Sequence, residues 1–311
     1  MAHADVLHLI NKMTNNTLDV AMLGIDSLPE LPSNLEKLIC HTSPLRSLPK
    51  LPSQLKELLC YDTLITELPE LPPELEELYC DGNDLETLPK LHEGIKNLNC
   101  SSTKITNLPE LPNSLRMLYC YYTPLVNFPK LPTNLLYFNC CNTNITELPE
   151  LPENLVLLFC EKTKITALPK LPRTLTGLHC ANNSLKVLPE LPLGLDVLDC
   201  SYTLISNLQE LPCKLKILNC IDTNICVLPE LPLGLVSLYT KNTPLILKRE
   251  NGESIEDYNA RWRIWKEEQE SRKRIQERTR KIQAELEEYS WSPRRVEKWI
   301  EKYGIDILET L

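Results

Sequence analysis

LPPELEELYCDGNDLETLPK, Leu71 to Lys90, is one copy of a 20-residue unit written eleven times between Leu31 and Glu250. Counted from its opening leucine, place 1 is Leu in all eleven copies. Place 5 is Leu except at Ile95, and place 8 is Leu except at Phe138. Place 10 is Cys from Cys40 to Cys220 and becomes Thr240 in the last copy. Places 15 and 18 are aliphatic or Phe until Lys248 breaks the pattern. A period this short gives no copy a core of its own. The copies must stack and bury their apolar sides against one another, which predicts a solenoid.

Leu38 and Cys40 alternate with Lys37, Ile39 and His41. That is period two, so each copy carries a short strand with Leu and Cys facing inward. Successive strands are reached by the crossover of one coil and must run parallel. At ~4.8 Å per strand, eleven of them form an array roughly 50 Å long. The return path reads LPxLP. Proline fixes φ and removes a donor, so this convex side is expected to be extended or polyproline-like. The spacing LxxLxC followed by [T/N]x[L/I] is the leucine-rich-repeat pattern. Place 13 is Thr eight times, Asn at Asn83 and Asn183, and Ser at Ser43. A polar side chain in that turn can satisfy backbone groups, and the row predicts a stacked hydroxyl ladder.

Copies of 20 residues reading LPxLPxxLxxL resemble the repeats of secreted bacterial effectors of the YopM and IpaH type, over about residues 18 to 247. The resemblance implies a leucine-rich-repeat fold and a protein-interaction role at the host–pathogen boundary. Two departures stand out: those effectors seldom carry Cys at the strand place, and they favour Asn over Thr in the turn. The Cys-bearing variant, and the closing segment SWSPRRVEKWIEKYGIDILETL, look similar to repeat proteins of giant DNA viruses. IpaH-type proteins add a ubiquitin-ligase domain with a catalytic Cys. Here no Cys follows Cys226, so that activity is not carried over.

The chain has 311 residues and a formal net charge of −9. Residues 251–311 hold 13 Lys/Arg against 14 Asp/Glu, and residues 1–250 hold 20 against 28. An acidic array is a poor match for phosphate backbones, so nucleic acid is not an expected partner. A neutral or basic protein is. No apolar run reaches 18 residues and MAHADVLHLINKM has no signal-peptide architecture, so no membrane association is expected.

Thirteen cysteines raise the question of disulfides or zinc. No CxxC occurs, and in-register parallel neighbours point their Cβ atoms side by side. The ten ladder cysteines are therefore read as reduced apolar filler. Such a ladder points to a reducing, intracellular compartment, the cytoplasm of a host cell or a virion. Cys141, Cys213 and Cys226 lie off the ladder. Cys141, at place 11, is expected to face outward and to be the most reactive thiol.

Residues 1–17 are expected to form a helical N-terminal cap, with Val6, Leu7, Ile10 and Met13 at helical spacing. Residues 18–250 form the solenoid, opening with an incomplete copy in which Val20 takes the Cys place. Residues 251–311 form a helical tail. Ser254-Ile255-Glu256-Asp257 fits a helix start, and no Pro or Gly follows until after Tyr289. Ser292-Pro293 to Gly304 predicts a second helix. Ile255, Tyr258, Trp262 and Trp265 make one apolar stripe; Ile275, Ile282, Leu286 and Tyr289 make another. The tail either caps the last coil or docks another protein.

Catalysis finds no motif. The five His share no pattern with Cys or Asp, and there is no glycine-rich phosphate loop. No enzyme activity, cofactor or metal is expected. Two functions remain. One is a module binding a protein on its concave face. The other is a structural or assembly component of a large particle, such as a giant-virus capsid, anchored through the tail. Outward places 7, 9 and 11 of copies five to seven hold Met117, Tyr119, Tyr121, Tyr137, Asn139, Cys141, Leu157, Phe159 and Glu161. Met117, Tyr119, Tyr121, Tyr137, Leu157 and Phe159 are the candidate partner-binding residues. The competing reading is that these aromatics only stabilise the sheet.

Overall fold

The protein is described by a computed structural model covering residues 3–13, 15–288 and 301. The chain divides into two compact units, Met1–Lys248 and Arg249–Leu311. The first opens with helix α1 (His3–Asn11) and strand β1 (Thr17–Asp19). Strands of three residues then recur every 20 residues, from β2 (Lys37–Ile39) to β12 (Ser237–Tyr239). All twelve pair in parallel, in sequence order, as a single sheet.

The register is the repeat itself: Leu38 lies beside Leu58, Leu98 beside Leu118, and Leu118 beside Phe138. Pairing runs past the three strand residues. Lys56 N–H donates to the Glu36 carbonyl at 2.7 Å, Cys120 N–H to Asn139 at 2.9 Å, and Tyr122 N–H to Cys141 at 2.9 Å. The leucines at places 5 and 8 and the ladder cysteines are sealed off from solvent through the middle of the array. Cysteine adds a weak bond there, since the Cys120 thiol lies 3.4 Å from the Asn139 carbonyl. Leu18, Val20 and Ile25 fill the equivalent places of the incomplete first copy. In α1 only part of the expected face is covered: Val6 is buried while Leu7 stays exposed. Met13 is half-buried.

Place 12 is left-handed in every copy, with φ between 50° and 65° from Thr42 and Asp62 through Gly82 to Lys162, Tyr202 and Asn242. This conformation turns the chain out of the sheet while keeping its N–H on the next coil's carbonyl. Non-glycine residues adopt it only where surrounding bonds hold it.

The row at place 13 differs from a stacked hydroxyl ladder. Thr123 and Thr203 donate back to the carbonyls of Cys120 and Cys200 in their own copies, each at 2.6 Å. A single hydroxyl proton cannot serve two coils. The amide of Asn83 can: it donates to Cys60 at 2.8 Å and Cys80 at 3.0 Å and accepts from the Thr63 hydroxyl at 2.5 Å. Asn183 repeats the arrangement with Cys160, Cys180 and Thr163.

The crossovers carry no helix among the described residues, as their prolines dictate. Phe128 at place 18 of copy five meets Phe138 at place 8 of copy six edge to face, with centroids 5.1 Å apart and planes at 85°.

Among its described residues the second unit carries the helix α2 (Ile255–Glu288). Ser254 caps it as expected: its hydroxyl accepts the Asp257 N–H at 3.1 Å and donates to the Asp257 carboxylate at 2.6 Å. Glu253 grips Arg261 through two bonds of 2.9 Å, and this guanidinium holds the Glu253 carboxyl below its ordinary value. Ile275, expected on an apolar stripe, is exposed. Of the expected second tail helix, Ser292 to Gly304, only Glu301 lies among the described residues, and it is helical. Among the described residues no helix is long and apolar enough to cross a membrane.

Candidate functional site

The pleat buries place 8 and leaves places 7 and 9 half-exposed on the concave face, where place 11 also lies. Parallel register turns those places into rows. Met117, Tyr137 and Leu157 lie side by side along place 7. Tyr119, Asn139 and Phe159 form the place 9 row. Five of the six expected partner-binding residues stand in these two rows and Tyr121 follows at place 11; all six are half-buried. The Tyr119 hydroxyl donates to the Met117 sulfur at 3.6 Å. Leu157 leans over Gly177, where an added Cβ would come within 2.6 Å of its methyl. Asn139 interrupts the aromatic row. Its side-chain oxygen accepts the Cys141 N–H at 3.1 Å, which closes the strand exit.

Cys141 is not the exposed, reactive thiol its place suggests. It is buried, only 8% exposed, and its sulfur accepts the Glu161 N–H at 3.3 Å. A short side chain between Tyr121 and Glu161 sinks beneath them. Burial, before any charge effect, pushes its thiol up to about 12. The exposed thiols are Cys213 and Cys226. At neutral pH a thiol reagent is expected to label these two promptly and Cys141 only on unfolding. Peptide mapping of the labelled chain checks this, and early label on Cys141 would contradict it.

One cluster escaped sequence reading. The imidazole of His179 stacks on Phe159, centroids 4.4 Å apart and planes at 12°. Its Nδ1 faces the Glu161 carboxylate at 3.9 Å. Asp199 completes the group, with all three potential ligand atoms within 4.8 Å of one another. In sequence these residues stand 18 and 20 apart and share no motif. Only the parallel register makes them neighbours.

No family model matches the chain, and no curated protein sequence matches it. Solved structures do. YopM from Yersinia enterocolitica is 28% identical over 79% of this chain and 68% of its own, with a TM-score of 0.48. The functional domain of InlJ from Listeria monocytogenes, described as including a cysteine ladder, is 25% identical with a TM-score of 0.59. That match covers 78% of this chain and 56% of the InlJ chain. The fold is a leucine-rich-repeat solenoid. A chain from the octameric complex of Latrophilin 3, Unc5D and the leucine-rich repeats of FLRT2 matches at 18% identity and a TM-score of 0.53. It covers 68% of this chain and 82% of its own. A cysteine ladder in a leucine-rich-repeat solenoid thus does not set this chain apart from bacterial proteins.

Proposed function

We propose that the chain is a non-enzymatic protein-interaction module whose concave face engages a partner across copies five to seven. The observation that carries this reading is the contiguous patch of Met117, Tyr119, Tyr121, Tyr137, Leu157 and Phe159, half-exposed on three adjacent strands. Tyr, Phe and Met are the side chains enriched at the cores of interfaces, and a cluster of them in water costs solubility unless covered. The acidic balance of residues 1–250 favours a neutral or basic partner by electrostatic complementarity. A row of free, buried cysteines favours a reducing intracellular compartment.

The test separates binding from folding. Wild type, Tyr119→Ala and Phe159→Ala are used as bait under identical conditions. The expected result is a captured protein whose affinity falls by about 2 kcal/mol in each variant, with melting temperature nearly unchanged. A large fall in melting temperature with undiminished capture would assign the patch to sheet stability and refute the reading. Stable incorporation of the chain into large particles, with no concave-face dependence, would refute it in favour of an assembly role.

A further inference from the structure

We propose that Glu161, His179 and Asp199 form a binding site for a divalent transition-metal ion of the zinc class on the concave face. Zinc bound by nitrogen and carboxylate oxygen lies about 2.1 Å from each ligand, which sets ligand atoms about 3–3.5 Å apart. His179 Nδ1 and the nearer Glu161 oxygen stand 3.9 Å apart, and all three ligand atoms lie within 4.8 Å. Small side-chain rotations close that gap. One imidazole and two carboxylates suit zinc, manganese, iron or cobalt rather than calcium or magnesium, which prefer oxygen alone. Three protein ligands leave a coordination position open to the solvent side, where water or a partner's side chain can enter.

Two of the three ligands are already oriented by their surroundings. Asp199 Oδ1 accepts the Ser201 N–H at 3.0 Å and the Ser201 hydroxyl at 2.6 Å, and its Oδ2 accepts Asn219 Nδ2 at 2.9 Å. These contacts hold the carboxylate as outer partners hold metal ligands. His179 is held by the Phe159 stack. It is flanked on its own strand by Gly177 and Ala181, so no tall side chain of that strand crowds the imidazole. Charge points the same way. Two carboxylates, Glu161 and Asp199, converge on one spot beside the imidazole, and a divalent cation there would offset their charge. Cys141, with its sulfur 4.0 Å from Glu161 Oε2, is a soft ligand within reach of the site. The site needs only the three O and N donors.

The full-length chain, stripped with a chelator and with Cys213 and Cys226 replaced by Ser to remove the exposed thiols, is titrated with Zn²⁺ by calorimetry. Co²⁺ serves as the spectroscopic reporter. One ion per chain is expected, with a cobalt spectrum lacking a thiolate charge-transfer band. His179→Ala and Asp199→Asn should each weaken binding on the order of 100-fold, and Ser201→Ala by about tenfold through loss of orientation. Circular dichroism of the metal-free variants checks that they fold. His179→Gln, which keeps a side chain against Phe159, replaces His179→Ala if that variant does not. No saturable binding, binding unmoved by the His179 and Asp199 variants, or a thiolate band assigning Cys141 as a ligand would each overturn the proposal.

Discussion

Raising the pH from 7 to 10 under reducing conditions is expected to unfold the repeat array. Ten ladder cysteines and Cys141 are buried free thiols. Burial pushes Cys40, Cys100, Cys141 and Cys220 up from the ordinary 9.0 to about 12. It pushes Cys60, Cys80, Cys120, Cys140, Cys160, Cys180 and Cys200 well above that ordinary value. A thiol with a raised native pKa keeps its proton in the folded state where the unfolded chain has lost it. The unfolded state then binds fewer protons, so stability falls as pH rises. The loss begins near the unfolded value of 9.0 and continues to about 12. Each of the eleven buried thiols opposes folding above pH 9.0, and their joint cost grows to a large fraction of the stability of a typical domain. Far-UV circular dichroism against pH, with return to pH 7 as the reversibility check, measures the effect. A melting temperature unchanged between pH 7 and pH 10 would contradict it.

Phe138→Ala is expected to cost about 3–5 kcal/mol, the largest single-residue loss in the array. Phe138 is fully buried, lies beside Leu118 and Leu158 in register, and meets Phe128 edge to face. Truncation opens a cavity that neighbouring coils, fixed by their own hydrogen bonds, cannot close. Phe138→Leu restores the residue every other copy carries at place 8, yet should still cost about 1 kcal/mol because Phe128 loses its ring partner. Adding Phe128→Leu returns both places to the repeat's own solution and should recover most of that loss. Urea midpoints of wild type, Phe138→Leu, Phe128→Leu and the double variant give the coupling directly. Equal stability of Phe138→Ala and wild type would show that the coil relaxes around the void.

The period-two alternation of Leu38 and Cys40 against Lys37, Ile39 and His41 was enough to read strand, facing and register, because a 20-residue period leaves one way to stack. The two Phe exceptions were equally visible. Their meeting was not, since it joins the end of one copy to the middle of the next. The six concave residues could be gathered by counting places. Cys141 could be assigned to its row, but not to its depth: the height of Tyr121 and Glu161 beside it decides that. His179 went unread because its chemistry depends on Glu161 in the previous copy and Asp199 in the next. Spacing rules describe side chains on one helix or one turn, and here three adjacent coils supply one each. The left-handed place 12 was only partly legible: Asp62, Gly82, Asn142, Asn182, Asp222 and Asn242 favour that conformation, while Thr42, Lys162 and Tyr202 ordinarily avoid it.

That left-handed residue makes the array a molecular ruler. Its side chain points away from the core, leaving Tyr122 58% and Tyr202 53% exposed. The same atom recurs at the same angle once per coil, so probes attached at Ser102 and Lys162, three coils apart, are separated by about 15 Å. Probes attached at Ser102 and Tyr202, five coils apart, are separated by about 25 Å. Spin labels or fluorophores placed along this lane would carry their distance calibration in the strand spacing itself, without disturbing the core.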